Sequence, residues 1–412
     1  MNLTMQRDAL LALTKQAAYA APDIANLPEV SGIHFAAGEK AVTLTATNFE
    51  IAIRATGAAN VTEGGSMIVD TQLFPEIISK LPEKEVLLET EKADHRLHIK
   101  SGHAEFHIGV LPGRNYNMPQ LPMPLDMVTV TGIPTLARRT AFAASSGEKA
   151  KAMLKGVYIT LSRTGLMATA CNGVQLVQAF GDKECMGDVS FLMPARALKV
   201  LARLSDDESA YRMGLTDKSV VFTNETVLFS SRRIEGGYLD ANAVFSSVLP
   251  VYRALVKAPE FCRAVESACI VASAGAPVAL TIHQDRLALE CSNAAPPPEG
   301  DMTVEEQVAM AHSWFQNGAD VKATVVAVED KRADAPPLPL PNEPFYYHHG
   351  LLTSGMGQFS GDVILEFSAR GDLIVRDQQA RYFQPPVRPQ QAQTAAKKPR
   401  SKSAKGSAPK AA

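Results

Sequence analysis

The hydrophobic pattern of the chain recurs at a nearly constant interval. A strand-like apolar run that ends in Asn occurs three times, at Asn48, Asn172 and Asn293, so the intervals are 124 and 121 residues. Each run follows an apolar stretch with helical spacing. These stretches are 7–19, 133–144 and 259–271. Self-similarity at a fixed period indicates one structural unit used three times.

The first two copies continue alike after the strand-like run. A second helix is predicted over 70–81 and again over 194–204, because apolar residues recur there every three or four positions. Alternating runs typical of strands follow both helices, and the third copy resumes with 345–357 and ends in two strands. The unit therefore reads helix, strands, helix, strands, which predicts an α+β fold. Such units can continue one sheet into the next, and a second chain can close the curve and remove the exposed edges.

The repeat interval predicts boundaries between the three units. They are 1–127, 128–250 and 251–389, and a basic tail over 390–412 is predicted to be disordered from its Gln, Ala, Lys and Pro content. The third unit is longer because of a predicted surface insertion at 294–341. Proline-rich segments that resist helix and central strand bracket it, around a short helical pattern at 303–316.

Composition adds limits to this picture. Hydrophobic residues at 46% and charged residues at 20% are typical of a folded soluble chain, and no run of apolar residues is long enough for a membrane span. Without a signal-peptide pattern, a cytoplasmic protein is expected. The five cysteines are scattered and form no C-x-x-C pair, so they predict reduced thiols rather than disulfides or a zinc site. No metal or cofactor is expected.

The net charge of −2 conceals an asymmetry. Of the 41 basic residues, eight follow Asp377, and no acidic residue does. Residues 1–377 therefore hold 33 basic and 43 acidic side chains, a net charge of −10. An acidic body repels a polyanion, so any contact with nucleic acid must be confined to a local basic surface or to the tail.

Four short segments occur in order along the repeats. They are Phe49-Glu50-Ile51-Ala52-Ile53-Arg54, Ile99-Lys100-Ser101-Gly102, Leu111-Pro112-Gly113 with Met118-Pro119, and Ser231-Arg232-Arg233-Ile234-Glu235-Gly236-Gly237-Tyr238. In these segments, and in its three repeats, the chain resembles the bacterial DNA polymerase III beta subunit, or sliding clamp, family. The resemblance covers about residues 1–390. It implies a noncatalytic, head-to-tail homodimeric ring that encircles double-stranded DNA, with helices inside and sheets outside, as a processivity factor for DNA polymerase III.

The resemblance also implies which residues face DNA. Basic residues on or just beyond the repeat helices would line the bore and contact phosphates without reading sequence. They are Arg7, Lys15, Lys80, Arg138, Arg139, Lys149, Lys151, Arg196, Lys199, Arg203 and Arg263. The spacing of Arg196, Lys199 and Arg203 places these three on one helical face.

A partner pocket for DNA polymerase III, clamp loader subunits and other proteins is implied at the junction of the second and third units. Its wall would be Leu154, Cys171, Gly173, Val174, Gln175, Leu176, Leu239, Ala243, Val244, Phe383, Pro385, Pro386, Val387 and Arg388. Val174 and Gln175 stand where the family usually has His and Arg. The pocket should therefore keep an apolar floor for a Leu or Phe anchor, while its rim loses positive charge.

Other functional classes have less support in the sequence. The chain lacks the P-loop, H-E-x-x-H and G-x-S-x-G motifs, so no enzyme class is indicated. Four histidines, His95, His98, His103 and His107, lie across a strand-turn-strand pattern whose alternation disfavours a shared metal. The alternative function is a noncatalytic DNA-associated scaffold that acts through the basic tail, which can offer charge to phosphates but no aromatic residue for stacking.

Overall fold

The computed structural model describes most of the chain. The described residues are 1–22, 30–91, 95–121, 123–163, 165–181, 188–270, 277–292, 320–329, 340–341 and 343–387. The predicted helical pattern at 303–316 and the predicted tail at 390–412 lie outside them. None of the described helices is long and apolar enough to cross a membrane.

Short helices and many strands make up the described chain. The α-helices are α1 (Arg7–Ala18), α2 (Leu73–Lys80), α3 (Ile133–Thr140), α4 (Ala195–Arg203), α5 (Ala241–Ser247), α6 (Ala258–Ala268) and α7 (His349–Met356). Single 3-10 turns lie at Gly113–Asn115 and Ala152–Lys155. Helix α2 begins three residues later than predicted, because Asp70 Oδ1 accepts hydrogen bonds from the backbone N–H groups of Gln72 and Leu73 and holds the chain in a turn there.

The strands before residue 132 are β1 (Asn2–Gln6), β2 (Ile33–Ala37), β3 (Ala41–Thr47), β4 (Ile51–Ala58), β5 (Asn60–Glu63), β6 (Gly65–Val69), β7 (Glu85–Glu91), β8 (Arg96–Ser101), β9 (Ala104–Gly109), β10 (Leu111–Pro112) and β11 (Val128–Val130). Those from 156 to 257 are β12 (Gly156–Ser162), β13 (Gly165–Cys171), β14 (Leu176–Phe180), β15 (Val189–Pro194), β16 (Tyr211–Leu215), β17 (Ser219–Thr223), β18 (Val227–Arg232) and β19 (Pro250–Lys257). The last are β20 (Pro277–Ile282), β21 (Arg286–Ser292), β22 (Asp320–Val326), β23 (Val328–Glu329), β24 (Phe345–His348), β25 (Asp362–Ser368), β26 (Leu373–Arg376) and β27 (Ala380–Gln384).

These strands form four sheets, and every described pairing is antiparallel. A five-stranded sheet has the order β5-β1-β7-β8-β9, and a four-stranded sheet has the order β22-β21-β20-β24. The other two sheets have nine strands each, in the orders β10-β6-β2-β3-β4-β18-β17-β16-β11 and β15-β12-β13-β14-β27-β26-β25-β19-β23. The predicted α+β class, with helices and mainly antiparallel sheets, is confirmed.

The side chains of the strands alternate between the buried and the exposed face of each sheet. In β8, for example, Leu97 and Ile99 are fully buried, while Arg96 and Lys100 are exposed. The helices pack in pairs, α1 on α2, α3 on α4 and α6 on α7. Their apolar faces and the inner faces of the sheets form one large core.

The recurring Asn has a local structural role. Asn48 Oδ1 accepts hydrogen bonds from the backbone N–H groups of Glu50 and Ile51, and Asn172 Oδ1 accepts from those of Val174 and Gln175. Both side chains therefore close the same turn between two strands of a sheet. Asn293 lies outside the described residues.

One predicted boundary is wrong. The predicted surface insertion at 294–341 contains β22, which pairs with β21 along its whole length, from Asp320 opposite Ser292 to Val326 opposite Arg286. Its side chains alternate, with Val325 buried and Lys322 and Thr324 exposed. Because β22 completes the four-stranded sheet, residues 320–326 belong to the fold rather than to a surface insertion.

Candidate nucleic-acid interface and docking cluster

Helix α4 carries the clearest basic face among the described helices. Arg196, Lys199 and Arg203 are exposed, while Leu198 and Leu201 on the opposite face are buried. Spacings of three and four residues place the three cations along one side of the helix. The structure therefore brings these predicted residues together.

The basic face of α4 continues toward α1. The guanidinium carbon of Arg203 lies 5.6 Å from the ring centroid of Tyr19, the residue that ends α1, a distance typical of a cation–π contact. Lys15, one turn earlier on α1, is exposed. Side chains from the first and second thirds of the chain thus share one solvent-facing surface.

Six other predicted cations lie on the surface or contact neighbouring residues of the chain. Those exposed on helices or on the loop after α3 are Lys80, Arg138, Lys149, Lys151 and Arg263. Lys80 forms an ion pair of 2.6 Å with Glu76, and Arg138 donates to the hydroxyl oxygen of Thr135. Arg7 is half-buried, and its Nη1 donates to the carbonyl oxygen of Leu81, so it holds the start of α1 to the end of α2. Its role is mainly structural.

Arg139 is buried, whereas the prediction places it on an exposed surface that faces DNA. It is 9% exposed, and its Nη1 lies 3.6 Å from the carboxylate of Asp377. Leu136 is three residues before Arg139 and four before Thr140, so the three side chains lie toward one side of α3. Leu136 and Thr140 are buried as well. Adjacent arginines on a helix point in different directions, so only Arg138 is on the outer surface.

The residues predicted to form a partner pocket do come together. We call the following group the docking cluster: Cys171, Leu176, Ala241, Phe245, Val248 and Ile374, with the partly buried Leu154, Leu239, Val244 and Phe383 packed against them. It is separate from the main core and lies where β14 pairs with β27, with Leu176 opposite Phe383. Asp240 caps α5 by accepting hydrogen bonds from the backbone N–H groups of Asn242 and Ala243, which fixes the helix over the cluster.

Not every predicted wall residue belongs to the docking cluster. Gly173, Val174 and Ala243 are exposed beside it, and Pro385, Pro386 and Val387 are partly buried in the segment after β27. Arg388 lies outside the described residues. Gln175 is buried, and its Oε1 accepts a hydrogen bond of 3.2 Å from the hydroxyl of Tyr382. The prediction that Gln175 lies on the rim is therefore wrong, because a buried amide needs an internal partner.

The docking cluster contains a thiol with no sign of reactivity. Burial raises the pKa of the Cys171 thiol, and its sulfur accepts a hydrogen bond from the backbone N–H of Gly173. A raised pKa lowers the thiolate fraction at neutral pH. Cys171 therefore serves as an apolar wall residue.

Two important residues were missed in the sequence. Phe245, only 5% exposed, fills the centre of the docking cluster from α5. Arg381, on β27, lies over its ring with the guanidinium carbon 4.1 Å from the centroid. In the sequence Arg381 is only one of the eight basic residues that follow Asp377, whereas the alternation of β27 places it on the same sheet face as Phe383.

The histidines do not form a metal site within the described part of the chain. The rings of His98 and His107 stack with centroids 4.5 Å apart across β8 and β9. Across the described ranges, no group of three or more His, Cys, Asp or Glu side chains could hold a metal ion. The His348 side chain instead caps α7, where its Nδ1 accepts from the backbone N–H of Leu351.

Known proteins share this arrangement over most of the chain. Residues 1–122 match the family model for the N-terminal domain of the DNA polymerase III beta subunit, and residues 128–240 match the model for its central domain. Together these ranges hold more than half of the chain. The chain belongs to the DNA polymerase III beta subunit family. The resemblance seen in the sequence is thereby confirmed.

Individual members of the DNA polymerase III beta subunit family are similar at low identity. The beta sliding clamp of Bacillus subtilis is 26% identical over 291 residues, which are 67% of this chain and 75% of that protein. The beta sliding clamp of Staphylococcus aureus is 28% identical over 308 residues, 72% of this chain and 81% of that protein. The crystal structure of the DNA polymerase sliding clamp from B. subtilis matches the fold with a TM-score of 0.77 at 21% identity, covering 94% of this chain and 99% of that one.

Proposed function

We propose that this protein is a DNA sliding clamp, a noncatalytic processivity factor that encircles duplex DNA and tethers DNA polymerase III, clamp loader subunits and other partners. Family membership supports the proposal. The observation that carries it is the way in which the sheets join, because that arrangement leaves two complementary free edges.

The sheets of the chain join twice in the same manner. At one junction β4 pairs with β18, and at the other β14 pairs with β27. In both cases the strand that follows the recurring Asn turn pairs with the last strand of the next unit. Among the described strands, the equivalent ones without such a partner are β22, at the edge of the four-stranded sheet, and β9, at the edge of the five-stranded sheet.

A second copy of the chain can supply the missing pairing at both edges. If β22 of one chain pairs with β9 of the next as β14 pairs with β27, the junction is heterologous and joins the chains head to tail. Closure with two chains removes both free edges, which otherwise favour uncontrolled association. We therefore propose a homodimeric ring of six units, with unit boundaries near 127 and 250.

The charge distribution supports DNA inside such a ring. Residues 1–377 have a net charge of −10, yet α4 presents Arg196, Lys199 and Arg203 to solvent on one face. Lys and Arg contacts to phosphates are independent of sequence, which suits a ring that must move along DNA. An acidic outer body would disfavour binding of DNA to the outside of the ring.

The experiment has two readouts. Sedimentation should give twice the 44.2 kDa mass of one chain, and only monomer at micromolar concentration would contradict the ring. On nicked circular DNA, loader-dependent binding should survive gel filtration and be lost when the circle is cut, because a ring leaves through a free end.

The alternative function through the basic tail is tested with the same assay. Truncation after Gln390 removes most of the basic tail residues. A clamp should keep its retention on circular DNA after truncation, whereas a scaffold that binds through the tail should lose its affinity for DNA whether circular or linear.

A further inference from the structure

Arg381 is held firmly beside the docking cluster. Its Nε donates a hydrogen bond of 2.9 Å to the side-chain oxygen of Gln178, and its Nη2 donates to the same atom and to the side-chain oxygen of Asn242. The ring of Phe245 covers one face of the guanidinium. Three neighbours thus fix its position without any ion pair.

The charge of Arg381 has no counter-ion among the described residues. All of its contacts there are amide oxygens and aromatic rings, and no described carboxylate forms an ion pair with it. Its Nη1 makes no hydrogen bond to a described residue. Burial lowers the pKa of Arg381, but a guanidinium remains charged at neutral pH. A fixed, partly buried cation with free donors is suited to bind an anion.

We propose that Arg381 is a specificity-determining residue of the docking cluster and binds a carboxylate of a partner peptide. The inference rests on the docking function proposed above. The guanidinium of Arg381 would supply the positive charge that the pocket was expected to lose because Val174 and Gln175 replace the His and Arg usual in the family. The partner is therefore an acidic peptide segment with an apolar anchor.

The strand register fixes the spacing that a bound peptide needs between its apolar anchor residue and its acidic residue. Leu176 is opposite Phe383, and Gln178 is opposite Arg381, so the cation lies two residues along both strands from the apolar pair. Two residues of extended chain span about 6.7 Å. A peptide in extended conformation, with Leu or Phe on the docking cluster, would place Asp or Glu on Arg381 two residues from the anchor.

The far side of Arg381 offers a further contact. Phe180 is 39% exposed, and its ring centroid lies 6.0 Å from the Arg381 guanidinium carbon. Leu176, Gln178 and Phe180 alternate along one face of β14, because successive side chains in a strand point to opposite faces. The acidic residue of the peptide would therefore lie between two apolar contacts, and this partial exclusion of water strengthens its pairing with Arg381.

The test uses fluorescein-labelled heptapeptides with one central Phe and otherwise Ala, Ser and Gly. Asp is placed two residues before or two residues after the Phe, and each peptide has an Asn counterpart. Fluorescence anisotropy with the full chain should show that Asp binds about tenfold more tightly than Asn at one of these two positions, since a hydrogen-bonded ion pair contributes this much. An Asp adjacent to the Phe should give no such preference.

The variants assign the preference to Arg381. In Arg381→Gln the Asp and Asn peptides should bind equally, while Arg381→Lys should keep a reduced preference. Arg212→Gln, which removes an exposed arginine of another sheet, should leave the preference unchanged. Thermal melting of each variant checks its folding, and the comparison of Asp with Asn on the unaltered chain requires no variant.

The outcomes separate this inference from the proposed function. If Phe-anchored peptides bind but Asp and Asn do not differ at either position, or if the preference survives Arg381→Gln, the role of Arg381 is refuted and docking stands. If no Phe-anchored peptide binds, docking on this cluster and the role of Arg381 are both refuted.

Discussion

Reversal of the basic face of α4 tests the DNA-facing assignment directly. The triple variant Arg196→Glu, Lys199→Glu and Arg203→Glu changes the charge of one chain by six units at positions that are all exposed. No apolar contact of the core is lost, because the buried side of α4 is unchanged. The contact of Arg203 with Tyr19 is lost, which costs about 0.5–1 kcal/mol at an exposed site. The variant should therefore fold.

The effect on DNA can be estimated from counter-ion release. Each phosphate contact contributes about 0.9 to the slope of log K against log salt concentration, so loss of three contacts per chain lowers the slope by about 2.7. For a ring of two chains the loss is about 5. Glutamates near phosphates add repulsion, so the ring should be loaded poorly even at low salt.

The assay is loader-dependent retention on nicked circular DNA over a range of salt concentrations. The matched control is Arg212→Glu, Lys218→Glu and Arg286→Glu, which makes the same change in charge at exposed positions outside the helices. We expect the α4 variant to lose retention and salt dependence while the control keeps both. Equal losses would show that only total charge matters, and no loss in either variant would refute the assignment of α4 to the bore.

Further predictions concern the docking cluster, the core and pH. The double variant Leu176→Asp and Val244→Asp should abolish binding of Phe-anchored peptides, because unpaired carboxylates would be buried in the docking cluster. The control Leu249→Asp, at an exposed site, should leave binding unchanged. If the peptides bind the double variant as they bind the unaltered chain, partners dock elsewhere. Gly355→Ala should lower the free energy of unfolding by about 1–3 kcal/mol in urea, since its Cβ would overlap the buried ring of Tyr382, whereas Gly361→Ala, with open space around it, should not. Burial raises the pKa of Cys269 to about 12 from an ordinary value of 9.0, so between these pH values the folded state keeps a proton that the unfolded state loses. The free energy of unfolding should therefore fall as the pH rises from about 9 toward 12. A Cys269→Ala variant whose urea midpoint changes with pH as steeply as that of the unaltered chain would contradict this.

The sequence was most informative where local pattern and fold agree. Periodicity placed five helices, α1 to α4 and α6, within a few residues of their observed bounds, and the recurring Asn marked a turn that its side chain stabilises. It failed at β22, because prolines on both sides of this strand resembled the borders of a loop region. The pairing of β22 with β21 joins residues 28 to 40 positions apart, which no local pattern indicates.

The residues of the candidate site were likewise predictable where local spacing decides their position, and not where contacts remote in sequence decide it. Helical spacing was enough to place Arg196, Lys199 and Arg203 on one face, but it could not show that Arg139 faces Asp377, which is remote in sequence. Arg381 is in the sequence only one of the eight basic residues that follow the last acidic residue, Asp377. Its partner Gln178 is 203 residues away, and only the pairing of β14 with β27 brings them together.

Pairing of unlike edges also gives the ring a front and a back. Because β22 of each chain would meet β9 of the next, all chains point the same way around the hole, and both copies of the docking cluster lie on one side. A protein bound there keeps the same orientation relative to the direction of travel along the duplex. The proposed ring would carry two clusters on that side, so a second protein would be able to bind before the first one leaves the DNA.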